Sequence, residues 1–323
     1  MSTKFLKDWF AKPIRPRVIT LGNQKGGSGK TTTAMHILVG LMNCGYGVGS
    51  IDLDGRQATL THFVENRRRQ SRISPLPIDM PEHHQIESSL EATVADAEED
   101  EAGRLADTLN QLQHLDYIVI DTPGHDNFLA RLGHILADTL ITPMNDSFLD
   151  LDVLVRLDND GQRITGPSSY SVAVLERWGL RMLVSGTPID WLVIRNRLAH
   201  LDNRNNRKVE ELLQQLAPRL GYRTSQGFGE RVIYRELFPM GLTLLDPFGR
   251  DAAARLSKSR TAARDEVWSL LTAIGLSEQP QASETWNKKM GLSLSISRYA
   301  QPAKEREPET ERESPEEPRP AAP

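Results

Sequence analysis

The chain has 323 residues, a formal net charge of −4 and 38% hydrophobic residues, the composition of a globular protein with one large α/β domain or two small ones. Its single cysteine, Cys44, excludes an internal disulfide and an iron–sulfur cluster held by several thiolates, and fits a reducing cytosol. No run reaches the roughly 18 apolar residues of a membrane span, and no secretory leader is expected.

Residues 1–16 precede the first predicted strand and read as an N-terminal extension. Phe5, Leu6, Trp9 and Phe10 share one helical face, with Lys4, Lys7 and Lys12 around it. Such a helix could lie on a membrane surface or pack on its own domain; membrane contact is not expected. Val18-Ile19-Thr20-Leu21 is an apolar run that ends at Gly22-Asn23-Gln24-Lys25-Gly26-Gly27-Ser28-Gly29-Lys30-Thr31-Thr32. A helical pattern through Ala34, Ile37, Leu38 and Leu41 follows. Strand, glycine-rich turn and helix is the context of a phosphate-binding loop. Gly26, Gly27 and Gly29 let the backbone around Ser28 wrap a polyphosphate with its N–H groups inward. The helix opening at Thr31 and Thr32 presents its positive end to the same charge. Lys30 is expected to reach the β- and γ-phosphates, and the Thr31 hydroxyl to hold Mg²⁺.

Val48-Gly49-Ser50-Ile51-Asp52-Leu53-Asp54 reads as a second strand ending in two carboxylates, where an α/β fold places ligand-facing groups. Asp52 is the expected residue behind Mg²⁺, and Asp54 the one expected to orient the attacking water. Residues 71–95 are polar and weakly periodic, hence an exposed insertion. Val94 to Leu115 carries a helical pattern, with Leu105, Leu109, Leu112 and Leu115 on one side. Tyr117-Ile118-Val119-Ile120-Asp121 is a buried strand delivering a carboxylate to the Mg²⁺ shell. Asp121-Thr122-Pro123-Gly124 then has the form of a switch sensing the γ-phosphate.

Thr139-Leu140-Ile141-Thr142-Pro143-Met144 and Trp191-Leu192-Val193-Ile194 are further buried strands. The second leads into Arg195-Asn196-Arg197. The Asn-Lys-x-Asp pattern of guanine readers is absent, which favours ATP. Between Arg195 and Arg260 there are 13 Lys or Arg against 7 Asp or Glu. Arg204, Arg207 and Lys208 fall on a predicted helix over 203–216, spaced so that Arg204 neighbours both of the others. Such a stripe can track a phosphate backbone or be an ordinary solvated face. Residues 251–275 read as a last amphipathic helix. From Gln301 onward 6 Pro and 7 Glu without an aromatic predict a disordered acidic tail, counted from 277 to 323.

Together these elements describe an α/β protein with a mostly parallel, twisted sheet flanked by helices. Lys25-Gly26-Gly27-Ser28-Gly29-Lys30-Thr31-Thr32 departs from the general loop by its extra lysine and resembles the deviant phosphate loop of the ParA/MinD class of ATPases. Six runs resemble the MipZ family within it, the division-plane positioning ATPases, over about residues 15–276. They are the loop itself, Ile51-Asp52-Leu53-Asp54-Gly55-Arg56-Gln57, Phe63-Val64-Glu65-Asn66-Arg67-Arg68, Thr142-Pro143-Met144-Asn145-Asp146-Ser147-Phe148, Arg195-Asn196-Arg197-Leu198 and Arg231-Val232-Ile233-Tyr234-Arg235-Glu236-Leu237-Phe238-Pro239.

The resemblance implies one ATPase domain over 17–276 and a slow, Mg²⁺-dependent hydrolysis of ATP. It also implies a homodimer formed with ATP, recruitment by ParB, nonspecific DNA binding and inhibition of FtsZ assembly. The protein would be cytoplasmic, nucleoid-associated and enriched at the pole. By position Lys25 is the lysine that reaches the partner's phosphates, Asp54 orients water, and Asn196 and Arg197 lie at the adenine. Arg204 and Lys208 fall in the DNA stripe. Asn206 and Lys208 stand where the family often has Arg, and Gly55 replaces a larger residue beside Asp54. Partition of chromosome or plasmid DNA is the alternative function. A metabolic ligase would need a second substrate pocket, which the sequence does not identify.

Overall fold

A computed structural model describes residues 4–158, 163–197, 204–246 and 258–276, with residues 148–149, 204–206 and 258–260 described by their backbone alone. The tail expected over 277–323 lies outside the described residues, as does the side chain of Arg204.

Seven strands form one sheet: β1 (Arg17–Leu21), β2 (Val48–Asp52), β3 (Glu82–Gln85), β4 (Tyr117–Asp121), β5 (Thr139–Asn145), β8 (Asp190–Asn196) and β9 (Tyr222–Gln226). Their order is β3-β2-β4-β1-β5-β8-β9, and every pairing is parallel. A separate antiparallel pair joins β6 (Val155–Leu157) to β7 (Ile164–Pro167). Helices on both faces explain why the central strands read as unbroken apolar runs rather than alternating ones. Ile19 and Leu21 of β1 turn to a core shared with α2 (Lys30–Asn43) and α9 (Lys258–Ala273). Val18 turns the other way, to a core with α4 (Val94–Gln111) and α5 (Phe128–Leu136). A third cluster packs β5 and β8 against α6 (Ser169–Ser185) and α7 (Arg204–Leu220).

The N-terminal segment packs into this body. In α1 (Lys4–Phe10) Leu6 and Trp9 are buried among the α4 and α5 side chains, so the apolar face that could have met a membrane is consumed by the domain. Arg15 closes the segment with two 2.7 Å hydrogen bonds to Asp138. Asp138 also accepts from Arg181, whose guanidinium donates to the carbonyls of Ile135, Leu136 and Ala137 at 3.1 Å. Arg181 thereby satisfies the open carbonyls at the end of α5. No helix among the described residues is long and apolar enough to cross a membrane.

Three expectations need correction. The stretch 71–95 is not wholly an exposed insertion, because Glu82–Gln85 is the edge strand of the sheet, paired with β2. Its Glu-His-His-Gln sequence has no apolar alternation, so its strand character comes from backbone pairing alone. The helix expected to reach Leu115 ends at Gln111. The predicted helix over 203–216 runs on to Leu220, and the described part of the last helix begins at Lys258.

Candidate nucleotide and cation site

The site is assembled where β1, β2 and β4 end side by side. Leu21 pairs with Asp121, and Asp121 pairs with Asp52. In-register neighbours in a parallel sheet put their side chains on the same face, so one row carries both carboxylates beside the start of the glycine-rich loop. Thr122 locks this row by donating to Leu21 O at 2.6 Å. The loop is anchored from behind. Asn23 donates to Pro143 O and accepts from Lys25 N, and Tyr170 donates to Gly22 O at 2.7 Å.

Gly29 precedes α2 with φ 93°, and a Cβ there would lie 2.5 Å from Asn196 Nδ2; only glycine meets both demands. The helix that follows leaves its first N–H groups without intrahelical partners, aimed at the loop. Thr31 Oγ1 donates to Asp121 Oδ2 at 2.5 Å, while Asp121 Oδ1 is buried with no partner. Burial, then the neighbouring Asp52 charge, pushes the Asp121 carboxyl up to about 7. A buried carboxylate with one free oxygen, next to a hydroxyl and a second acidic group, suits a hard divalent cation such as Mg²⁺. Lys30 lies close to this group. Burial lowers its pKa, and the Asp121 and Asp54 charges oppose that shift.

Asp52 is fully buried and its carboxylate is held at both ends. Oδ1 accepts from Asp54 N, and Oδ2 accepts from both Thr61 N and Thr61 Oγ1, all at 3.0 Å. Asp54 is half-buried one step further out, with Oδ1 accepting from Gln57 N at 3.2 Å. Gly55 has a local reason: a Cβ there would come within 2.9 Å of Glu87 Cα, so a larger side chain cannot fit against this backbone.

Lys25 points away from this cluster. Its side chain is 39% exposed and its ammonium sits 2.5 Å from Asp150 and 3.4 Å from Asp152. The hydrogen bond to Asp150 raises its pKa. Two lysines five residues apart on one loop therefore face different surroundings, one partly buried at the cation cluster and one on the rim.

Beside the loop is a cleft of about 250 Å³ lined by Gly27, Ser28, Gly29, Thr32, Asn196, Arg197 and a wall from Phe228 to Arg235. Asn196 borders it with its amide already engaged. Nδ2 donates to Ser28 O at 2.9 Å and Oδ1 accepts from Phe228 N at 3.0 Å, so it braces the loop against the wall. Arg197 is exposed with φ 54°. The wall is fixed to α9 through Glu266, which accepts from Gly229 N, Arg231 and Tyr234. Gly229, Tyr234 and Glu266 were not among the expected site residues. The run 231–239 that carried part of the resemblance was the available signal. Arg207 and Lys208 are exposed on α7, and the Arg204 backbone opens that helix.

The model of the family described as ATPase MipZ matches residues 17–278. The chromosome partitioning protein ParA of Caulobacter vibrioides is 30% identical over 177 residues, 48% of this chain and 65% of that protein. Its counterpart in Myxococcus xanthus is 28% identical over 161 residues, 44% of this chain and 56% of that protein. The matched part thus spans less than two thirds of either relative. Among solved structures, an ATP complex of a McdA variant from Cyanothece has the same fold. Its TM-score is 0.51 and its identity 16%, covering 87% of this chain and 98% of that one.

Proposed function

This chain belongs to the MipZ family of ATPases, and on that premise we propose that it is an ATP-switched, dimerising ATPase that positions the cell-division plane. In this reading ATP occupies the cleft with its base against the Phe228 wall, near Asn196 and Arg197. Its phosphates lie along the loop from Gly26 to Thr32, with Lys30 at the β- and γ-phosphates. Thr31, Asp121 and Asp52 hold Mg²⁺, which neutralises the charge that develops on the phosphates. Asp54 orients the attacking water. Hydrolysis to ADP and phosphate is slow, so the nucleotide works as a timer.

The observation that carries the reading is the division of labour between the two lysines. In this reading Lys30, beside Asp121 and Asp54, serves the phosphates of its own subunit, whereas Lys25, held at the rim by Asp150 and Asp152, would exchange those partners for the phosphates of a second molecule. The ATP-bound homodimer binds DNA nonspecifically through Arg204, Arg207 and Lys208 and inhibits FtsZ assembly. The monomer is recruited by ParB, and cycling between the two builds a gradient over the nucleoid away from the pole. Partition of DNA cargo is the second reading, favoured by the likeness to ParA of Caulobacter vibrioides. Suppression of FtsZ assembly by the purified protein with ATP separates the two.

Sizing the protein with and without ATP and Mg²⁺ tests the switch. The parent should double its mass only with ATP, and Lys25→Ala should bind nucleotide yet stay monomeric. A normal ATP dimer in Lys25→Ala would remove the bridging role.

A further inference from the structure

Behind Asp52 lies a chain of hydrogen bonds that reaches the edge of the sheet. Ser50, fully buried on β2, is 2.8 Å from His83 Nδ1, and His83 Nε2 is 3.0 Å from Thr61 Oγ1. Thr61 lies in the first turn of α3 (Thr59–Ile73), and its hydroxyl donates to Asp52 Oδ2. His83 is on β3, paired with Ser50 in the strand register. The directions of these bonds follow from counting protons. A hydroxyl has one hydrogen, and that of Thr61 is committed to a carboxylate, which in its ionised form can only accept. The hydrogen between His83 and Thr61 must then belong to His83 Nε2. In a neutral ring Nδ1 is left as the acceptor, and the Ser50 hydroxyl donates to it. Burial keeps the ring neutral, lowering its pKa to about 4.

The chain therefore runs one way, from Ser50 through His83 and Thr61 to Asp52, each bond polarising the next toward the carboxylate. We propose that His83 is a positioning residue for the nucleotide-bound cation: through Thr61 it fixes the orientation of Asp52, with Ser50 holding the imidazole in the required tautomer. This rests on Asp52 belonging to the cation site. It also explains why a strand with no apolar pattern is kept in the sheet, since β3 delivers His83 to α3 and β2 together. Partners in the outer shell of a metal site typically change metal affinity by about 10–100-fold when removed.

The test is a titration of the full chain with Mg²⁺ in the presence of a fluorescent ATP analogue, following nucleotide affinity rather than turnover. His83→Ala should raise the Mg²⁺ concentration needed for half-maximal tightening by about tenfold, while affinity in EDTA is unchanged. His83→Gln, whose amide can still donate to Thr61, should stay near the parent. Asp52→Asn should shift the requirement at least as far, and adding His83→Ala to it should shift it no further.

If Asp52→Asn shifts the Mg²⁺ requirement and His83→Ala does not, the relay is overturned. If Asp52→Asn itself leaves it unmoved, the assignment of Asp52 fails instead. Equal loss in EDTA and in Mg²⁺ would reduce His83 to a fold-stabilising residue and also overturn the proposal. Should His83→Ala fail to fold, Ser50→Ala decides: an unaltered Mg²⁺ requirement there counts against the relay.

Discussion

Asp52 and Asp54 are two residues apart on one strand end, yet their surroundings suit them to different tasks. Asp52 spends both oxygens on Thr61 and on the Asp54 amide and cannot swing to follow a water. Asp54 keeps partial exposure, and its carboxylate accepts from Gln57 N at 3.2 Å at the edge of the cluster. The acceptor with freedom to meet a solvent molecule is the better one for orienting water. Asp54→Ala should therefore bind ATP and form the dimer but hydrolyse about 10²–10⁴-fold more slowly. Phosphate release under single-turnover conditions checks this. An unchanged rate would move the role to another group.

At the scale of elements, the N-terminal segment and three parts of the domain meet on one carboxylate. Asp138 accepts from Arg15, from Val18 N and from Arg181, and Arg181 in turn holds the end of α5. Burial alone would raise its pKa, but the two guanidinium groups and the Val18 amide outweigh burial and lower it. A carboxylate with a depressed folded pKa stabilises the fold above its unfolded pKa, near 3.9. That contribution is lost as pH falls through the folded value. Asp138→Asn leaves Arg181 nearly buried without its counter-charge, and should cost about 3 kcal/mol at pH 7. Urea melts should show the gap from the parent closing as the pH drops below about 4. A constant gap across that range would assign the loss to packing rather than to charge.

The third scale is the whole molecule, where DNA binding would be decided. In the proposed interface one chain offers the few cations of α7, and a handful of phosphate contacts gives weak affinity at physiological salt. In the proposed ATP dimer two chains on one rigid body would double the contacts, so ATP would switch DNA binding without moving a basic side chain. Arg204 and Lys208 replaced together by Ala should weaken binding to every DNA sequence alike. The slope of log affinity against log salt should flatten by about one unit per lost contact, with nucleotide binding and dimerisation intact. Unchanged binding would leave the stripe as a solvated helix face.

Which parts of this were legible in the chain follows from where the information sits. The phosphate loop, the central apolar strands and their terminal carboxylates are local patterns of spacing, and the resemblance over 15–276 rested on such runs. The α1 face was legible only as two alternatives, since a seven-residue amphipathic helix carries the same pattern on a membrane and on a core. Edge strand β3 was missed because it has no apolar alternation, and with it His83, 22 residues from the Thr61 it touches. Likewise Asn196 was placed at the nucleotide by the family resemblance alone, and its bonds to Ser28 and Phe228 join segments 168 and 32 residues away. The sequence by itself determined the phosphate loop, the central strands and the carboxylates at their ends, because periodicity and motif spacing are short-range. Only the tertiary structure decided which side chains share a hydrogen bond, since strand order and register, not distance along the chain, bring Leu21, Asp52 and Asp121 into one row.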